Sequence, residues 1–331
     1  MHRSLATLRV WLALVVLTVV QAAHAAQPEY RGALVMDAAN GQVIFEDQAD
    51  RANPPASVAK LMTFLVVHDC LRAGTLTLNT PITITREDAG MGGTQVWLEA
   101  GEAFTVEDLL YALLIQSAND AAHALARAAH GSVPAFVSEM NRRAQSLGMA
   151  RTTFRTPHGL PPRSRKASDS DMTTARDLAL LSRELLLHTD IITYSSVRER
   201  TFRPGQPPPR EVIMRSHNHL LAKVRGADGL KTGYTSAAGF CLAATAEREG
   251  RRLIVVVVGS PDAKSRDIKV AELVERFFAK GTDLAVFQRA DESPFIQPSA
   301  SAAGGTSPAA SPSTPPAAES LPTVRFPRPR S

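Results

Sequence analysis

Strand-forming segments lie at both ends of the central part of this chain, and helical patterns fill the stretch between them. Near its start, Arg31-Gly32-Ala33-Leu34-Val35-Met36-Asp37 and Gln42-Val43-Ile44-Phe45-Glu46 are β-prone runs. They flank Ala38-Ala39-Asn40-Gly41, and Asn-Gly is a strong hairpin signal. Near its end, Phe240 to Glu247 and Leu253 to Val258 flank a turn at Glu249-Gly250. Between the two hairpins, helical spacing covers Val58–Leu71, Val106–Gln116, Asp120–Ala129, Pro134–Leu147 and Thr173–Leu187. Asp267–Ala279 adds a closing helix. One antiparallel sheet must then draw strands from both ends of the chain. The expected class is α/β: an antiparallel sheet flanked by helices, with an inserted helical subdomain.

The outer segments read differently. Residues 1–25 carry Arg3 and Arg9, no acid, and an apolar run from Val10 broken only by Thr18. Ala23-His24-Ala25 then offers the small residues of a signal-peptidase site, so cleavage is expected after Ala25. Val10 to Ala23 is shorter than the ~18–20 residues of a spanning helix, so no integral span is expected after cleavage. The product is expected outside the cytoplasm, in the periplasm. Residues 288–331 hold nine of the 22 prolines and read as a disordered Pro/Ala/Ser-rich tail. Residues 26–287 remain as one domain, long enough for an ample core.

The net charge of +5 hints at a polyanion partner, but it is concentrated at the ends. Besides Arg3 and Arg9, the tail's Arg289, Arg325, Arg328 and Arg330 outnumber Asp291, Glu292 and Glu319. The core is only weakly basic, and no nucleic-acid partner is expected. Two cysteines exclude a disulfide-rich scaffold. Cys70 and Cys241 are expected as buried apolar groups, one in a helix and one in a strand.

Three short motifs occur in order: Ser57-Val58-Ala59-Lys60, Ser117-Ala118-Asn119 and Lys231-Thr232-Gly233. Each alone is weak, and Ser216-His217-Asn218 repeats the second pattern. Ser57 follows Pro54-Pro55-Ala56 at the start of the central helix, where serine also serves as an N-cap. Lys60, one turn on, shares its helix face. A serine hydroxyl needs a base to become a nucleophile. Lysine can be that base if burial or a second cation lowers its pKa, and Lys231 could be that cation. Ser117-Ala118-Asn119 lies between two helical patterns. It reads either as a capped junction or as a polar loop that relays a proton and binds a substrate amide. Lys231-Thr232-Gly233 reads either as the exposed start of a strand or as an edge strand that pairs with an extended peptide. In the second reading Gly233 admits close approach, and Lys231 and Thr232 hold a carboxylate.

Together these residues resemble the serine D-alanyl-D-alanine carboxypeptidases, the low-molecular-mass penicillin-binding proteins, a superfamily marked by this motif set. The likeness extends through Pro55 to Thr63, Leu113 to Ala122 and Asp228 to Thr235. Pro157-His158-Gly159-Leu160 and Ala175-Arg176-Asp177-Leu178-Ala179 add to it. The resemblance implies a β-lactamase/transpeptidase-like fold and peptidoglycan stem peptides as substrate. It implies β-lactam antibiotics as covalent inhibitors, and no metal or cofactor. Ser57 then attacks the carbonyl between two D-alanines, and Lys60 takes its proton. The N–H groups of Ser57 and Tyr234 form the oxyanion hole. Ser117 and Lys231 deliver a proton to the leaving amine, and Asn119, Lys231, Thr232, Gly233 and Tyr234 bind substrate. His158, His217 and His219 are expected to be structural.

Related activities differ in what they require. A class A β-lactamase needs a Glu-x-x-Leu-Asn loop between the second and third motifs, and Met149–Leu230 has none. The resemblance leads one to expect a β-rich domain and an amphipathic anchor after the core. The Pro/Ala/Ser sequence found there slightly raises the alternative of a D,D-endopeptidase that cuts cross-links, while carboxypeptidase stays the expected activity. A wall-binding protein without catalysis is the remaining alternative, and the three intact motifs speak against it.

Overall fold

The computed structural model describes residues 29–278 apart from 163, 165, 208 and 209. The expected leader, the tail and the ends of the expected 26–287 domain lie outside the described residues.

Strands β1 (Gly32–Asp37) and β2 (Val43–Asp47) form the first hairpin. A single 3-10 turn, Ala56–Ala59, leads into helix α1 (Lys60–Arg72). A small hairpin follows, β3 (Pro81–Thr83) with β4 (Ala103–Thr105), then helix α2 (Val106–Tyr111). Helices α3 (Asn119–His130), α4 (Val133–Ser146) and α5 (Ala175–His188) complete the insertion. A second small hairpin pairs β5 (Glu199–Phe202) with β6 (Val212–Arg215). The chain then returns to the main sheet through β7 (Ala227–Thr235), β8 (Gly239–Arg248) and β9 (Arg251–Ser260), and ends in helix α6 (Ala263–Phe278).

The main sheet has the order β2-β1-β9-β8-β7, antiparallel at every junction. The two ends of the chain therefore meet at β1 and β9, where Gly32 pairs with Val258 and Asp37 with Leu253. The run Leu253–Val258 is fully buried, so both faces of the sheet centre are covered. Strand residues alternate between faces. Ile254, Val256 and Val258 join one cluster with Leu178, Leu181 and Leu185 of α5 and with the insertion. Leu253, Val255 and Val257, outside that cluster, face the opposite side, where α6 buries Val270, Leu273 and Val274.

Local chemistry sets most helix starts. Thr105, Ser132 and Thr174 accept backbone N–H bonds from Asp108, Ala135 and Asp177, which satisfies first-turn donors. Two expected helices differ in detail. The segment Val58–Leu71 begins as the 3-10 turn, because Ala56 enters it with φ +48°. The segment Val106–Gln116 stops being α-helical after Tyr111 and closes as a π turn over Ala112–Gln116. Ser117 then takes φ +65°, which redirects the chain into α3. Cys70 on α1 and Cys241 on β8 are free thiols, as expected from sequence. Among the described residues, no helix is long and apolar enough to cross a membrane.

Candidate active site

The turn carrying Ser57 is gripped from two sides. A Cβ added to Gly233 on β7 would sit 2.9 Å from Pro55 O and 3.0 Å from the amide nitrogens of Ser57 and Val58. A Cβ on Gly159, which has φ +80°, would sit 1.9 Å from Ala56 O. Both sites need glycine because backbone meets backbone there. The positive φ of Ala56 is strained for a residue with a side chain, and the two neighbours hold it in place. Ser57 itself makes no side-chain cap, which removes the N-cap reading of that serine.

Lys60 is fully buried among apolar neighbours of α1. Its Nζ lies 3.0 Å from Ser57 Oγ, 2.6 Å from Asn119 Oδ1 and 2.9 Å from the backbone oxygen of His158. The last two groups are carbonyls and only accept. A neutral amine has two hydrogens and one lone pair. In that form the two carbonyls accept both hydrogens, which leaves the lone pair for the Ser57 hydroxyl. Burial, and then the charge of Lys231, push the Lys60 pKa well below its ordinary value, while Asp120 and Asp171 oppose the shift. The site thus favours the protonation state that a base requires.

Supporting contacts fix this geometry. Asp171 accepts from the amides of Arg155 and Thr156 at 2.6 and 3.0 Å and from Thr156 Oγ1 at 2.8 Å. Thr156 Oγ1 in turn accepts from Gly159 N, and Thr63 Oγ1 donates to Pro157 O. These bonds seat the turn that presents the His158 carbonyl. The His158 ring accepts the Leu160 amide at Nδ1, and burial lowers its pKa to about 3. It stays neutral with Nδ1 occupied, in the structural role expected.

Asn119 is buried, with Oδ1 on Lys60 and Nδ2 donating to Gly92 O at 2.7 Å. Its second Nδ2 hydrogen remains to donate to the carbonyl of the substrate amide expected from sequence. Its main role in this geometry is to orient Lys60. Next to it, Asp120 accepts from the amides of Val96 and Leu98 and so ties down the loop that holds Thr94 at the cleft.

Ser57, Ser117, Thr232, Gly233 and Tyr234 line one cleft of about 340 Å³. Lys231 lies in the middle of β7 rather than at an exposed strand start. It is buried, donates to Thr232 O at 3.0 Å, and has a pKa lowered to about 7 by burial and then by Arg266. β7 is an edge strand, as the peptide-pairing reading requires. Tyr234 is largely exposed and stacks on Phe240 with centroids 4.1 Å apart.

The cleft wall also contains residues that sequence reasoning did not assign to it. His217 and His219, expected to be structural, both line it. Arg266 from α6 lines it too, almost fully buried and paired with Asp267 at 2.6 Å. No local signal in the sequence links the last helix to the three motifs. Among the described residues, no group of three or more His, Cys, Asp or Glu side chains is arranged to hold a metal ion.

The family model described as D-alanyl-D-alanine carboxypeptidase matches residues 19–262. The carboxypeptidase DacF of Bacillus subtilis is 31% identical over 261 residues, covering 79% of this chain and 65% of its own. DacC of Escherichia coli is 34% identical over 275 residues, covering 80% and 66%. Each match thus spans just under two thirds of the curated relative. Among solved structures, the carboxypeptidase DacD from Francisella tularensis superposes with a TM-score of 0.70 at 28% identity, covering 77% of this chain and 71% of that one. Penicillin-binding protein D2 from Listeria monocytogenes, with ampicillin bound, gives 0.66 at 32% identity, covering 76% and 98%.

Proposed function

Because this chain belongs to the D-alanyl-D-alanine carboxypeptidase family, we propose that it removes the terminal D-alanine from peptidoglycan stem peptides through an acyl-enzyme at Ser57. The observation that carries this reading is the three-contact cage around Lys60 Nζ, which holds the buried amine 3.0 Å from the Ser57 hydroxyl.

The steps follow from the cleft. The substrate lies along β7, its terminal carboxylate near Lys231, Thr232 and Arg266. Ser57 Oγ attacks the carbonyl carbon of the penultimate residue while its proton passes to Lys60 Nζ. The N–H groups of Ser57 and Tyr234 receive the developing oxyanion, a contribution of roughly 3–4 kcal/mol per donor in other enzymes. The C–N bond breaks as the proton taken up by Lys60 is relayed by way of Ser117 and Lys231 to the leaving nitrogen, so D-alanine departs as the amine and Lys60 is a free base again. Water then attacks the ester with Lys60 as base, which restores Ser57. A β-lactam enters the same path and stays as the acyl group. We read residues 1–25 as an export signal, residues 26–287 as the catalytic domain, and the cell wall outside the cytoplasm as the place of action.

Labelling with a fluorescent penicillin, followed by mapping of the modified residue, tests this. Ser57 is expected to carry the label, and pentapeptide is expected to release free D-alanine. A label elsewhere, or cleavage of cross-linked dimers without D-alanine release, overturns the reading.

Lys231 adds a pH dependence. With a pKa of about 7, it is cationic below that value and neutral above. Binding of a terminal carboxylate by the Ser57→Ala protein is therefore expected to weaken as pH rises through about 7. Calorimetric titration with a D-alanyl-D-alanine peptide between pH 5.5 and 8.5 checks the sign, and tighter binding at the alkaline end contradicts it.

A further inference from the structure

Beyond Tyr234, at the far end of β7, lies a second cavity of about 380 Å³ with Arg31, Arg51, Ser236 and Ser260 in its wall. Tyr234 lines both this cavity and the cleft that holds Ser57, so the two adjoin across one ring. Among the described residues, no acidic side chain lines it.

Both guanidinium groups retain donors. Arg31 uses Nη1 on Asn53 Oδ1 at 3.0 Å and on Ala237 O at 2.6 Å. Arg51 uses Nη1 on Gln48 Oε1 at 3.1 Å. Among the described residues, Nε and Nη2 of each have no partner, and neither arginine has a carboxylate. Ser260 is fully buried, and its hydroxyl has no hydrogen-bond partner. Two planar cations without counter-ions around one concavity form a surface that matches a carboxylate.

The direction of the substrate brings one there. This step rests on the carboxypeptidase reading, in which the terminal carboxylate lies toward Lys231, Thr232 and Arg266. Residues upstream of the cut then run the other way along the edge strand, past Tyr234 and Thr235 toward Ser236. From Gly233 to Ser236 is three residues, a span of about 10 Å, and three residues of extended substrate cover the same distance.

We propose that this cavity is an acid-recognition subsite that binds a side-chain carboxylate of a stem-peptide residue upstream of the penultimate D-alanine. Arg31 and Arg51 bind the anion, and Tyr234 separates it from the reacting carbonyl. The site selects stem peptides with free carboxylates over those in which the same groups are amides.

The test uses the full chain carrying Ser57→Ala, so that binding is measured without turnover. Two peptides serve as probes: L-Ala-γ-D-Glu-diaminopimelyl-D-Ala-D-Ala, and its twin with the glutamyl and diaminopimelyl side carboxyls converted to amides. The acidic peptide is expected to bind at least about tenfold tighter, as hydrogen bonds to charged groups allow. Adding Arg51→Gln, at an exposed position, is expected to remove most of that ratio, and Arg51→Lys to keep part of it. Equal affinities for the two peptides, or a ratio unchanged by Arg51→Gln, overturn the proposal. Turnover by the unsubstituted chain is read separately. Carboxylate discrimination without D-alanine release from either peptide would leave the subsite standing and remove the carboxypeptidase reading.

Discussion

Replacing Lys60 by methionine is expected to slow acylation of Ser57 by penicillin by about a thousandfold, within the range of a positioned general base. Methionine keeps most of the length and the apolar stem that α1 buries, but its thioether sulfur is only a weak acceptor and is not basic enough to take the hydroxyl proton. The carbonyl contacts at 2.6 and 2.9 Å occupy two directions around the nitrogen, and the third points at the Ser57 hydroxyl, 3.0 Å away. The pH profile gives an independent reading. Neutral Lys60 is the active form, so acylation rises with pH as the ammonium loses its proton. Because burial and Lys231 depress its pKa, the plateau is expected well below the ordinary lysine value of 10.5. The methionine variant is expected to lose that rise. Stopped-flow acylation across pH measures both effects. A variant within tenfold of the parent rate would remove Lys60 from its assigned role.

Gly233→Ala is the second large effect. The added methyl carbon would lie at 2.9–3.0 Å from Pro55 O and from the nitrogens of Ser57 and Val58. These are backbone atoms of a turn already fixed by Gly159, so they have little room to yield. The strand must instead retreat from the nucleophile, carrying the Tyr234 amide with it. A shift of roughly 1 Å at a reacting centre costs on the order of a hundredfold. We expect that loss in kcat/KM for peptide and in penicillin acylation alike. The far-UV spectrum is expected to be unchanged, since β7 remains paired to β8 along its length. Full activity in this variant would show that the gap between β7 and the Ser57 turn is wider than the contacts indicate.

How much of this was legible beforehand depended on how local each signal is. The first hairpin, the long β8–β9 pair and all the long helices announced themselves through periodicity and turn residues. The small hairpins at Pro81–Thr83 with Ala103–Thr105 and at Glu199–Phe202 with Val212–Arg215 did not, because strands of three or four residues hold too little pattern. The helix through Gln116 was expected to be continuous. Apolar spacing does not distinguish an α turn from the π turn that ends at Ser117.

Sequence by itself determined the strand-bearing ends, the helical insertion and the order of the three motifs. Each is written in neighbouring residues, as spacing or as side-chain type. Tertiary structure alone decided what surrounds Lys60. One of its three partners is the backbone oxygen of His158, and a carbonyl carries no residue-type signal. It also decided that Arg266, from the last helix, and His217 share a wall with Ser57. The same holds for Arg31 and Arg51, which meet Ser236 only because β1, from the start of the chain, joins the sheet built by its end. Such convergence depends on strand register and on which faces of the sheet are buried, and both are properties of the assembled fold.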